Sequence, residues 1–122
     1  MTTNIVDKDG NSIAAADATV PSDRHFRNAW SLSGSTITED ITAAKVIFKD
    51  KVREARTPLL DAEDVIYMKA LEADDADAKT ASVAKKKALR DAPAASAISS
   101  ADTIAKLKAA WDTSTLGDSP YA

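Results

Sequence analysis

The amino-acid sequence predicts an all-α protein, and three observations carry that prediction. Apolar residues recur at three- and four-residue spacing from Ile41 to Ala70, the signature of one face of a long helix. A second amphipathic segment follows an acidic turn and stops at Pro93. The hydrophobic fraction of 44% is more than one-third alanine, against 5% aromatics, and alanine favours helix while burying little area. Together these imply a kinked long helix with an antiparallel second helix, a helical hairpin read from Thr38 to Pro93. A short third helix and an extended N-terminal arm complete the expected fold. The 122 residues make one small domain at most, divided as an arm over 1–21, the hairpin domain over 22–112 and a C-terminal tail over 113–122.

The arm places β-prone residues on either side of Asp9-Gly10, a hairpin-turn dipeptide. A two-stranded hairpin is marginal in water, so the arm is expected to lie on a partner or on another copy of the chain. Ser22 or Asp23 then caps a short helical turn that sets Phe26 and Trp30 at i, i+4, and residues 31–35 read as a loop. The long helix starts near Thr38, with Thr36 and Glu39 fitting a capping box. Its stripe runs through Ile41, Ala44, Phe48, Val52, Ala55, Leu59, Ala62, Ile66 and Ala70, widened by Leu60, Tyr67 and Leu71. Pro58 removes one backbone bond and kinks the helix without breaking the register of the stripe. Asp75 or Asp77 caps the second helix, whose inner face is read as Ala78, Ala81, Ala84, Ala88 and Ala92 with Val83 and Leu89 at its sides. Residues 94–100 form a linker. Ser100 or Asp102 opens the third helix, which carries Ile104, Leu107 and Trp111.

Covalent chemistry finds little support. The chain has no Cys and one His, so thiolate metal sites are excluded and His25 has no like partner. The carboxylates Asp61, Glu63, Asp64, Asp74, Asp75 and Asp77 lack the twelve-residue calcium loop with its central Gly. Helix capping and a solvated turn explain them more cheaply. A hydrolase using Asp61, Asp64 and Asp91 with a metal ion is the competing enzyme reading. The residues favour a protein that is not an enzyme and needs no cofactor or metal. A net charge of −3 argues against a nucleic-acid partner, and Lys85-Lys86-Lys87 reads as a solvated helix face. No run approaches the ~20 apolar residues that span a bilayer, and the N-terminus has no signal-peptide pattern. Phe26, Trp30 and Trp111 are the aromatic candidates for partner contact; the competing reading is that Trp30 and Trp111 plug the ends of the hairpin. Arg53 and Arg56 face Arg90 and Asp91 across the antiparallel pair, which reads as an inter-helix Arg–Asp clamp.

Two short motifs carry a family resemblance. Arg53-Glu54-Ala55-Arg56-Thr57-Pro58-Leu59-Leu60-Asp61-Ala62-Glu63-Asp64, an acidic turn, and Lys87-Ala88-Leu89-Arg90-Asp91-Ala92-Pro93 resemble the phage tail assembly chaperone proteins. That family shows an Arg-x-x-Arg-x-x-Leu-Leu-x-x-Asp type start, a helical hairpin, and a closing Arg-x-x-Leu-Arg-Asp-x-Pro. Residues 22–30 are similar to small proteins of marine tailed phages that share the hairpin. The likeness is tight over the two motifs and loose over 23–112. The chain departs from the pattern with Val65-Ile66-Tyr67 where the family commonly has Trp, and with Lys85-Lys86-Lys87-Ala88 before the closing motif. The resemblance implies a helical binding module acting on phage tail, tail-fibre or other virion proteins, with Arg53, Arg56, Arg90 and Asp91 among its contacts. The alternative is a resident structural protein of the virion held by its N-terminal arm. The expected location is accordingly the virion or the host cytoplasm during assembly, with self-association left open.

Overall fold

The computed structural model describes residues 4–121; the first three residues of the arm and the last of the tail lie outside the described residues. Strands β1 (Asn4–Val6) and β2 (Ser12–Ala14) form one antiparallel pair, and β3 (Trp30–Ser33) and β4 (Thr36–Glu39) another. Helix α1 (Ile41–Glu72) and helix α2 (Ala76–Asp91) follow, then three short helices: α3 (Ser96–Ser99), α4 (Ile104–Ala109) and α5 (Thr113–Leu116). The all-α expectation is therefore corrected. Two small antiparallel sheets make this a helix-rich mixed α/β fold.

The second strand pair replaces both the expected loop at 31–35 and the expected helix start. Trp30, Leu32, Ile37 and Glu39 alternate with Ser31, Ser33, Thr36 and Thr38, so one face of β3–β4 is apolar except for Glu39 and the other wholly polar. Gly34 at φ +63° opens the two-residue turn, a conformation glycine adopts without a Cβ penalty. Helix α1 starts after this strand. Asp40 is its cap, accepting from the Thr42 and Ala43 N–H groups at 2.9 and 3.1 Å. The helix then runs as one span through Pro58.

The arm is not an unattached extension either. β1–β2 forms around the predicted Asp9-Gly10 turn, with Gly10 at φ +86°, and docks on the second hairpin. Lys8 N–H donates to the Trp30 carbonyl at 2.9 Å, and the Arg27 guanidinium donates to the Val6 carbonyl at 2.8 Å. Asp7 is the hub. Its carboxylate accepts from Leu32 N–H at 2.8 Å, Asn11 N–H at 2.8 Å and Asp9 N–H at 3.0 Å. The other edge of the pair is occupied by Thr19, which exchanges backbone bonds with Ser35 and Ile37 at 2.8 and 2.7 Å. Both edges of β3–β4 are thus covered by the arm, which removes the templates that bare strands offer.

The core sits where α1 meets these hairpins and the C-terminal helices. Phe26, Ala44, Phe48, Val52, Ile98, Leu107 and Trp111 are buried there. Tyr121 completes it from what the sequence marks as a polar tail. Its ring stacks on Phe26 and Phe48 with centroids 5.1 and 5.4 Å away, and Trp111 meets it edge-on at 6.1 Å. Burial pushes the Tyr121 hydroxyl up to about 12. Leu116 is buried as well, and Trp111 Nε1–H donates to the Gly117 carbonyl at 3.1 Å.

Two outcomes follow from this packing. Phe48→Ala opens a cavity beneath Trp111 and Tyr121 and is expected to cost about 3–5 kcal/mol in urea unfolding. The second concerns acid. The Leu32 N–H bond, with those from Asn11 and Asp9, holds the Asp7 carboxyl below its usual value. The unfolded chain then takes up the proton more readily. The stabilisation is complete above the usual carboxylate range and lost as pH falls through the lowered folded value. Asp7→Asn should lower the melting temperature at pH 7, and the gap to the parent should close as both are titrated into acid.

Candidate protein-binding surface

Beyond the core, α1 and α2 continue as a two-helix hairpin packed mainly on itself. Its seam is largely polar. The buried Ser82 hydroxyl donates to the Glu63 carboxylate at 2.9 Å and lies 3.2 Å from the Glu63 carbonyl, and Glu63 is itself only 7% exposed. Lys86 reaches the Asp64 carboxylate at 2.6 Å and lies over the Tyr67 ring at 5.0 Å. At the acidic turn Asp75 caps α2 through Ala78 N–H at 3.0 Å, as one of the two expected caps.

This seam corrects the predicted stripe. Ala44, Phe48, Val52 and Ala70 are buried as expected, Leu59, Leu60 and Tyr67 are partly covered, and Glu63 joins them inside. Ala62 and Ile66 are left in solvent, Ile66 at 46%. On α2 the covered face is Ala78, Ser82, Lys86 and Leu89, while Ala81, Ala84 and Ala88 are exposed. The physical reason is the Glu63–Ser82 and Asp64–Lys86 contacts, which draw α2 onto the side of α1 next to its apolar stripe. Period alone does not separate two neighbouring faces when one is sealed by polar groups.

The candidate contacts divide. Phe26, Trp30 and Trp111 are 0%, 2% and 7% exposed, so they are interior residues of this fold and offer no face to a partner. Phe26 and Trp111 belong to the central cluster. Trp30 begins β3 rather than a helical turn, beneath the Arg27 guanidinium at 4.6 Å from its ring. The antiparallel pair does bring Arg56 to Arg90, but to its backbone. The Arg56 guanidinium donates to the Arg90 carbonyl at 2.9 Å, where the α2 dipole favours a cation. The expected Arg–Asp clamp is not made: Arg53 pairs with Asp50 at 3.0 Å and Asp91 with Lys87 at 2.9 Å. The Lys87 ammonium holds the Asp91 carboxyl below its usual value.

The sequence reading missed the aliphatic residues on this hairpin. Val65, Met68, Leu71 and Val83 are 55%, 54%, 48% and 50% exposed. Tyr67 and Leu71, four residues apart, share a side with Val83, which lies one turn before the Lys86 that covers Tyr67. Leu60, Tyr67 and Leu71 had registered as the second edge of the α1 stripe, which is the signal that points to them.

A second polar group lies at the other end of the molecule. Lys108 pairs with Asp23 at 2.5 Å, and His25 meets the edge of the Tyr121 ring at 5.2 Å. Burial, with the Asp23 charge second, raises the Glu39 carboxyl above its usual value. Among the described residues no group of three or more His, Asp or Glu side chains is gathered as a metal would need. Among the described residues no helix is long and apolar enough to cross a membrane. The chain matches no protein-family model, no curated protein and no solved structure.

The seam yields a direct test. Ser82→Ala leaves the Glu63 carboxylate buried without its hydroxyl donor and is expected to cost about 1–3 kcal/mol in denaturant unfolding.

Proposed function

We propose that this chain is a non-enzymatic binding module of tailed-phage morphogenesis, acting on tail or tail-fibre proteins as tail assembly chaperones do. The observation that carries the reading is the hairpin itself: two long helices that project past the core with Leu71, Val83, Val65 and Met68 uncovered. Such a surface suits an apolar segment of a partner that is not yet assembled. The motif residues add support. Arg53 to Asp64 and Lys87 to Pro93 meet at the base of this hairpin through the Arg56–Arg90 contact. Two of the three carboxylates of the competing hydrolase reading are otherwise engaged, Asp64 by Lys86 and Asp91 by Lys87. The arm gives the resident-virion alternative less to work with, because residues 7, 8 and 19 are hydrogen-bonded to this chain's own strands.

The test is co-expression with the tail and tail-fibre proteins of the same phage, followed by co-purification and by mass spectrometry of finished particles. The chain should co-purify with one of them and be missing from particles. Leu71→Asp with Val83→Asp should abolish co-purification at an unchanged melting temperature, since both positions are exposed. A fixed copy number in purified particles would establish the resident-component alternative instead.

A further inference from the structure

Part of the most regular apolar stripe of this chain is left uncovered within the chain. Ala62 and Ile66 on α1 and Ala81, Ala84 and Ala88 on α2 are exposed. Ala62 and Ala88 line one cleft of about 270 Å³ together with Leu59, Lys85 and, from α5, Ser114 and Thr115, and helical spacing continues the same side to Ile66 and Ala81. The Ser82–Glu63 contact sets the helices in register, which brings Ile66 close to the level of Ala81.

Charge on the hairpin is ordered along its length. Residues 71–78 carry Glu72, Asp74, Asp75 and Asp77 and no base, whereas residues 84–90 carry Lys85, Lys86, Lys87 and Arg90 and no acid. On the exposed side, Asp77, Ala81 and Lys85 follow one another at four-residue spacing, an acid and a base equidistant from a small residue. Neither charge is held tightly within the chain. Asp77 makes no ion pair among the described residues, and Lys85, 70% exposed, only approaches Glu63 at 3.8 Å. The helix dipole accounts for acids at the start of α2, but not for an unpaired acid and a solvent-exposed base, held only by a long contact to Glu63, flanking an exposed apolar centre.

We propose that a second copy of this chain covers this side, the two hairpins packing antiparallel about a two-fold axis near Ala81 and Ile66 as a four-helix bundle. A two-fold interface must be complementary to itself, and this face is: Asp77 of each copy meets Lys85 of the other, twice. The alanines let the helices approach closely, and Ile66 supplies the apolar centre that charge alone lacks. Leu71 and Val83 lie on the other side of the hairpin, so this pairing leaves them free and stands apart from the tail-assembly reading. Either can fail alone.

Sedimentation of the full chain across micromolar concentrations tests the proposal. The parent should reach a dimer. Asp77→Lys and Lys85→Asp should each weaken the dimer by about tenfold or more, because each sets like charges together at both ends of the interface. The doubly exchanged chain, Asp77→Lys with Lys85→Asp, should recover the parental constant, and mixing the two single variants should give a heterodimer. Ile66→Asp should leave a monomer with unchanged helix content by circular dichroism. A parent that remains monomeric throughout overturns the proposal, as does a dimer indifferent to the charge reversals. The recovery in the doubly exchanged chain decides the matter without relying on Ile66→Asp.

Discussion

The stacking of Tyr121 between Phe26 and Phe48, with Trp111 against its edge, is the contact on which the rest of the molecule depends. The four rings come from four separate parts of the chain: the segment before β3, the first third of α1, the residues just after α4 and those after α5. Alanine-rich helices contribute little area each, so a few large rings must supply the interior. They also fix its geometry, because offset stacks and edge-on contacts tolerate only a narrow range of placements. Around them the remaining interior is small: Ala29, Ala44, Ala101 and single branched residues such as Val52 and Ile98.

The polar side chains divide the work in a complementary way. Asp7 gathers three backbone N–H groups that its own turn and β3 would otherwise leave without partners, and Asp40, Asp75 and Asp112 each satisfy the opening of a helix. Of the carboxylates that look, in sequence, like the raw material of a metal site, Asp75 caps α2 while Asp64, Asp74 and Asp91 pair with lysines. The same economy runs along the hairpin, where Glu63 and Ser82 decide which faces of α1 and α2 meet. A seam of this kind specifies register more strongly than alanine could, since a shift of one residue would strand a carboxylate away from water.

How much of this could be read in advance depended on the length of the pattern. Helices α1 and α2, the Asp75 cap, the Asp9-Gly10 turn and the amphipathic stretch around Leu107 all stand in the sequence, because each repeats a signal over several residues or rests on strong turn chemistry. The strand pair at 30–39 was legible too, in the alternation of Trp30, Ser31, Leu32 and Ser33 against Thr36, Ile37, Thr38 and Glu39. It was overshadowed by the Phe26–Trp30 spacing, which fits a helical turn equally well. What could not be read was long-range. Nothing local in Tyr121 announces that it closes the core, and nothing local in Glu63 announces that it lies inward while Ile66, three residues on, lies outward. For the candidate surface the consequence was an inversion: the aromatics chosen as contacts are interior, and aliphatics assigned to the interior are on the surface.

The position of Tyr121 also sets an order of events. In a nascent chain the strand pairs are made before Tyr121, and local structure such as these pairs and the α1–α2 hairpin can form as soon as its own residues are available. Phe26 and Phe48 then wait through the synthesis of more than half the protein before the ring that separates them exists. Until residue 121 is added, the apolar floor beneath α1 lies open alongside the exposed aliphatics of the hairpin. The growing polypeptide thus presents more adhesive surface than the finished one, and maturation of this fold is a closing step made from its far end.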